Sequence, residues 1–287
     1  MAVVVSAEGA KQNEISVTGC VAWSYAALTG LDVSCPFSPE RCPGLSSSGL
    51  SGLAISFGHQ LSRLTHRASR LMNGLFITFE GTEGCGKSTQ VELLADRLRK
   101  LGHHDLLQLR EPGGTPIGEE IRHTFKHSKA NGAMTPETEL LLMNASRVQL
   151  VCEVIRPALA AGTIVLCDRF YDSTTAYQGY GRQLDLKRVK AIIDVAVGDT
   201  RPDLTLLLQV PSEVSAERLR SRQSRLSFAP DRIEREDEAF FERVARGYEA
   251  IAAAEPKRVR SIDASGDTNA VSAAIWNLVQ PILRTAP

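Results

Sequence analysis

The sequence predicts an α/β protein built on a doubly wound parallel sheet, and three observations carry that reading. Five short apolar runs recur from residue 72 onward, helical patterns separate them, and the runs are continuously apolar. Strands covered by helices on both faces have that character, whereas strands with one solvated face alternate.

Taken in order, the first run, at 75–79, reads as a buried strand, and 87–100 has helical periodicity. A second strand follows at 106–109. A long helix is predicted from about 136 to 160, ended by Gly162 before a third strand at 163–167. The fourth strand is placed at 204–210 and a short fifth at 259–262, and there is no internal repeat.

The 287 residues suffice for one large α/β domain or two small ones, and 43% hydrophobic with 23% charged side chains describes a chain able to bury a core. Thirty-three basic residues balance 33 acidic ones, so no global field recruits nucleic acid or an anionic membrane, and phosphate recognition must come from local clusters. The longest apolar runs are far too short to span a bilayer. Cysteines 20, 35, 42, 85, 152 and 167 show no CxxC spacing, which fits reduced thiols and a cytoplasmic location rather than a disulfide framework.

Residues 1–71 differ in composition from the rest. They carry nine charged side chains, and between 44 and 58 nine of fifteen residues are Ser or Gly. Such a stretch lacks the apolar bulk to offset chain entropy, so a disordered extension is expected, with the folded unit at 72–287 and Met72 as its functional start. The stretch 55–71 is basic and free of acids, a transit-peptide bias, but it does not begin the chain, and Glu8 and Glu14 argue against that reading.

The chemistry concentrates first in GTEGCGKST, residues 81–89, which places GxxxxGK[ST] between a strand and a helix. Gly81, Gly84 and Gly86 let the backbone fold around an anion, with Thr82, Glu83 and Cys85 between them, and the helix adds its positive end. Lys87 reaches the β- and γ-phosphates of ATP, the Ser88 hydroxyl can ligate Mg²⁺, and Thr89 completes the loop. A GTPase would carry an NKxD base-reading motif, and none is present. A motor would end a strand in paired acids, whereas the third strand here ends in Cys167-Asp168-Arg169. Asp168 can hold a Mg²⁺ water while Arg169 can grip a second phosphate, which fits an acceptor that is itself a phosphate ester.

Further signals agree. Arg110 opens REPGGT at the carboxyl edge of the second strand, where ligands bind in such sheets. Met143 and Arg147 share a face of the long helix at a spacing of four. Arg218, Arg220, Arg222 and Arg225, continued by Arg232 and Arg235, read as an arginine-rich lid on a loop between two helices.

Taken together, FEGTEGCGKST, REPGGT, ASRVQ, DRFYDSTTAYQG, GDTRPDLTLLL and DRIE appear in an order and spacing that resembles the thymidylate kinases, the nucleoside monophosphate kinases that phosphorylate dTMP. The resemblance implies a P-loop kinase three-layer fold with a five-stranded parallel sheet and an arginine-rich lid, ATP and Mg²⁺ as donor and cofactor, and a homodimer that binds neither nucleic acid nor membrane. It makes Lys87, Asp168 and Arg222 catalytic, with Arg222 on the lid as in bacterial-type members, and Ser88 and Asp168 the metal ligands. Glu83 matches the carboxylate that contacts the dTMP sugar, and Arg110 and Arg169 the acceptor-phosphate arginines. Arg147 matches the thymine-edge reader, Ser173 and Thr174 polar base contacts, and Tyr177 the tyrosine that disfavours a ribose 2′-OH, with Gln178 beside it. Met143 stands where the family usually stacks a Phe on thymine. Two alternatives remain open: a P-loop kinase for a different nucleotide or nucleoside, and a non-catalytic nucleotide-binding protein.

Overall fold

The computed structural model describes residues 74–225 and 231–283, apart from the side chains of Lys129 and 222–225. The expected extension at 1–71 lies outside the described residues. Five strands form one all-parallel sheet in the order β2-β3-β1-β4-β5: β1 (Phe76–Glu80), β2 (Leu106–Arg110), β3 (Ile164–Asp168), β4 (Leu204–Gln209) and β5 (Val259–Asp263). Each lies within a residue or so of its predicted run. The three central strands are nearly fully buried, and the edge strands β2 and β5 are not, because each has a neighbour on one side only.

Helices cover both faces. On one face α1 (Lys87–Lys100) and the C-terminal α9 (Thr268–Leu283) pack on Ile77, Phe79, Leu206 and Leu208 through Leu94, Leu98, Ile275 and Val279. On the other, α3 (Pro136–Leu150), the turn that follows it and α6 (Leu186–Val197), which comes after the short α5 (Tyr171–Thr174), close over Phe76, Val165 and Cys167 through Leu150, Val151, Ile193 and Val197. A third cluster joins Leu207 to Phe240, Val244 and Tyr248 of α8 (Glu238–Ala254) and to Phe125 of α2 (Pro116–His127). Both α2 and α3 begin with Thr-Pro. The Thr115 hydroxyl accepts from Gly118 N at 3.0 Å and Thr135 from Thr138 N at 3.2 Å, while the following proline spends no needed N–H.

Two expectations are corrected. The long helix is not continuous from 136 to 160: α3 ends at Leu150, a wider π turn runs Val151–Ile155, and the short α4 (Arg156–Ala160) follows. Pro157 explains it, since its ring crowds the carbonyl of Glu153 and it has no N–H to donate, so the turn opens. The arginine-rich stretch was expected on a loop, yet its first part is helical, within α7 (Ser212–Arg225).

β1 holds the centre of the sheet, and the chain leaves it on one side through β2 and β3 and on the other through β4 and β5. The crevice at the carboxyl ends of β1 and β3 is therefore where such a fold places a ligand.

Candidate active site

The loop after β1 turns on glycines in conformations that other residues resist: Gly81, Gly84 and Gly86 have φ of 135°, 73° and 93°. Gly86 leads directly into α1, whose first turn carries Lys87 and Ser88. The Lys87 ammonium is folded back, donating to Gly81 O at 3.1 Å and Thr82 O at 2.8 Å, with Cys85 Sγ at 3.5 Å. These carbonyls hold the lysine over the loop it serves. The Ser88 hydroxyl donates to Asp168 Oδ2 at 2.5 Å, so residues 80 apart in sequence meet where the first turn of α1 reaches the tip of β3.

A cavity of about 660 Å³ opens along this edge. Residues 83–89 line it with Arg110, Met143, Arg147, Asp168, Arg169, Ser173, Thr174, Tyr177 and Gln178, so of the described sequence candidates only Gly81 and Thr82 stand behind its wall. The side chain of Arg222 lies outside the described residues.

Arg169 is the hub. Its own backbone takes φ of 73°, a strained value for a non-glycine, which the surroundings must over-determine. Nη1 donates to Gly81 O, Ser173 Oγ and Tyr248 Oη at 3.0, 3.1 and 3.2 Å, and Nη2 to Glu83 Oε1 at 2.8 Å and Tyr177 Oη at 3.2 Å. Tyr177 in turn donates to Glu83 Oε2 at 2.6 Å. Burial pushes the Tyr177 and Tyr248 hydroxyls well above the usual tyrosine range, so both stay protonated.

Arg110 is half-exposed and donates to Glu119 Oε2 at 3.0 Å and to Pro112 O at 3.2 Å. Arg122 of α2 shares the Pro112 carbonyl at 2.9 Å, which sets two cations side by side on the cavity wall. Arg147 is only 3% exposed and all three of its nitrogens meet acceptors. Nε donates to Glu111 Oε2 at 2.8 Å, Nη1 to Asn144 Oδ1 and Thr174 Oγ1 at 3.0 and 2.9 Å, and Nη2 to Phe170 O at 3.2 Å. Gln178 donates to the buried Glu139 at 2.8 Å. Met143 is packed in the cluster that contains Phe125, whose ring also lines the cavity.

Sequence reasoning missed two groups and the partners of two lid arginines. Gln90, Ala264, Gly266, Thr268 and Val271 line the end of the cavity beyond the loop, beside the lid residue Arg218, whose Nη1 donates to Ala264 O at 3.1 Å. Arg232, expected to continue the lid, donates to Glu139 Oε2 at 3.0 Å and to the Asn131 and Met134 carbonyls at 2.6 Å each. Glu80 and Tyr248 stand behind Arg169. The one available signal was an acid, Glu80, closing a mostly apolar strand.

Comparison with known proteins settles the family. The family model described as thymidylate kinase matches residues 79–275. The chain belongs to the thymidylate kinase family. A thymidylate kinase of Syntrophotalea carbinolica is 50% identical over 203 residues, 70% of this chain and 93% of that protein. One of Geobacter sulfurreducens is 48% identical over 207 residues, 72% of this chain and 96% of that one. The crystal structure of thymidylate kinase from Ehrlichia chaffeensis superposes with a TM-score of 0.58 at 33% identity, covering 72% of this chain and 99% of that chain. As a thymidylate kinase, the chain is an ATP-dependent dTMP kinase, with ATP and dTMP as its small-molecule substrates.

Proposed function

We propose that the cavity holds ATP and dTMP facing one another and transfers the γ-phosphoryl group in line, by positioning and charge neutralisation rather than covalent catalysis. The observation that carries this reading is the 2.5 Å contact between Ser88 and Asp168, which joins the phosphate loop to the strand end bearing Arg169. A hydroxyl and a carboxylate are a donor set for a hard cation that keeps most of its waters, so the pair fits Mg²⁺. When bound, that ion supplies charge neutralisation on the phosphates.

Residues 81–89 cradle the triphosphate, and Lys87 leaves the Gly81 and Thr82 carbonyls for the β- and γ-oxygens. Arg110 and Arg169 hold the acceptor phosphate, Arg169 exchanging Glu83 for it. Glu83 meets the sugar, Tyr177 crowds a 2′-OH, and Met143, Arg147, Ser173, Thr174 and Gln178 surround the base. The end lined by Gln90, Arg218 and Thr268 receives the donor base. Arg222, four residues beyond Arg218 in α7, adds positive charge at the transferring group. The test offers dTMP, dUMP, dCMP and thymidine with ATP and follows ADP release. Turnover should be strongest with dTMP and should fall by orders of magnitude in Lys87→Ala. Near-normal turnover in that variant would sink the assignment.

A homodimer is also proposed, in the cytoplasm, where thiols such as Cys85, Cys152 and Cys167 stay free. Adjacent helices α2, α3 and α6 support it, because they expose Ile117, Leu141, Val148 and Val195 on the surface. Sedimentation should give twice the chain mass, and Val195→Glu should lower it. Among the described residues no helix is long and apolar enough to cross a membrane. Residues 1–71 are proposed to be dispensable for the chemistry, since relatives aligned over nearly their whole length match only about three-quarters of this chain.

A further inference from the structure

We propose that Glu80 is a positioning residue for Arg169, acting through the hydroxyls of Ser173 and Tyr248, whose protons it takes so that their lone pairs face the guanidinium. The proposal rests on the reading of Arg169 as an acceptor-phosphate ligand.

Glu80 is the last residue of β1, with no exposed surface, one position before the phosphate loop. A buried carboxylate is costly unless its oxygens are met by donors. Burial, reinforced by nearby Asp172, raises its pKa to about 7 even though Arg169, Ser173 and Phe170 N oppose the shift. The donors that meet it come from two directions. Oε1 accepts from Phe170 N at 2.7 Å and Ser173 N at 3.3 Å, both in the turn after Arg169. Oε2 accepts from Ser173 Oγ at 2.6 Å and from Tyr248 Oη, on α8, at 2.9 Å.

Those two hydroxyls are the ones to which Arg169 Nη1 donates, at 3.1 and 3.2 Å. A hydroxyl has one proton and two lone pairs. When both protons go to the carboxylate, both oxygens present only lone pairs to the arginine. The hydroxyls are 2.9 Å apart, so without the carboxylate one would donate to the other or turn its proton on the guanidinium.

Arg169 thus has two unlike sides. Nη1 is fixed to the protein interior by Gly81 O and the two polarised hydroxyls, while Nη2 faces Glu83 and Tyr177 on the cavity wall. An acceptor phosphate arriving at Nη2 displaces an acidic partner, and the Nη1 contacts, with Tyr177 beside them, then keep the side chain in place. Glu80 touches no substrate in this scheme; it sets the acceptor pattern that orients the residue that does.

Glu80→Gln is nearly isosteric but brings an NH₂ that donates to the hydroxyls instead of accepting from them. In the full-length protein, KM for dTMP should rise about tenfold, the loss of one charge-assisted hydrogen bond, with KM for ATP within about twofold of the parent. Tyr248→Phe, which leaves the carboxylate in place, should raise KM for dTMP in the same direction by a smaller factor. Adding Glu80→Gln to Tyr248→Phe should cost less than Glu80→Gln alone, because the two act through one hydroxyl. Equal changes in both KM values, or an unchanged dTMP KM with lowered Tm only, would overturn the proposal. If Glu80→Gln does not fold, Tyr248→Phe decides by the same split. Arg169→Lys separates the two layers of the argument. If it leaves KM for dTMP unchanged, the reading of Arg169 fails; if it raises KM while Glu80→Gln and Tyr248→Phe do not, the reading stands and the positioning role fails.

Discussion

Replacing Arg147 with Met should destabilise the protein heavily, in a pH-dependent way. Arg147 and Glu111 form an ion pair of 2.6 Å, exposed by only 3% and 4%, in the lining of the cavity. Glu111 Oε1 already has no partner, and Oε2 is held by two nitrogens of the same guanidinium, so the substitution strips the carboxylate of every donor it has. Burial already pushes the Glu111 pKa up, and Arg147 is what pulls it back. Removing one member of a buried pair costs about 3–5 kcal/mol, and for a domain of this size each kcal/mol lowers Tm by roughly 2–4 °C, so a loss on the order of 10 °C is expected. The sign with pH follows. With Arg147 gone the folded-state pKa of Glu111 rises further above its unfolded value. Its contribution is then fully present below the unfolded value and is lost as pH rises through the folded one. Urea unfolding should therefore show a larger deficit at pH 8 than at pH 5, and Arg147→Met/Glu111→Gln should recover much of it at pH 8. A loss below about 1 kcal/mol, or one independent of pH, would refute this account of the pair.

Two other outcomes follow from the same site. Met143→Phe should lower KM for dTMP by roughly two- to tenfold if the base lies against this position, the gain of one aromatic contact, whereas an unchanged KM would place the base elsewhere. The raised pKa of Glu80, from 4.5 to about 7, means that its burial costs up to about 3 kcal/mol once it ionises. Wild-type stability should fall as pH rises across that interval, while Glu80→Gln should lose less, keeping only the fall owed to other raised carboxyls such as Glu111; urea midpoints between pH 4.5 and 8 compare the two.

Much of the fold was legible because its signals are local. Five apolar runs mark five strands to within a residue or two, since a parallel strand covered on both faces has no alternation to obscure it. The break in the long helix was legible in principle, as Pro157 stands in the sequence, but periodicity alone runs through it. The lid was misplaced for a related reason. A run of arginines closed by Ser, Ala and Pro reads as a lid on a loop, and only the packed structure shows Arg218 drawn to the Ala264 carbonyl and Arg232 drawn to Glu139.

The sequence by itself determined the phosphate loop, the Asp168-Arg169 strand end and the family's motifs. Each is a contiguous stretch whose glycines, charges and helix start act within a few residues of one another. Only the tertiary structure decided what each site residue leans on. Glu80 and Tyr248 are 168 residues apart, Arg147 and Glu111 36, and Ser88 and Asp168 80. A buried charge takes whichever donors the packing of strands and helices brings within about 3 Å, and that choice is made by sheet order and helix docking rather than by neighbours in the chain.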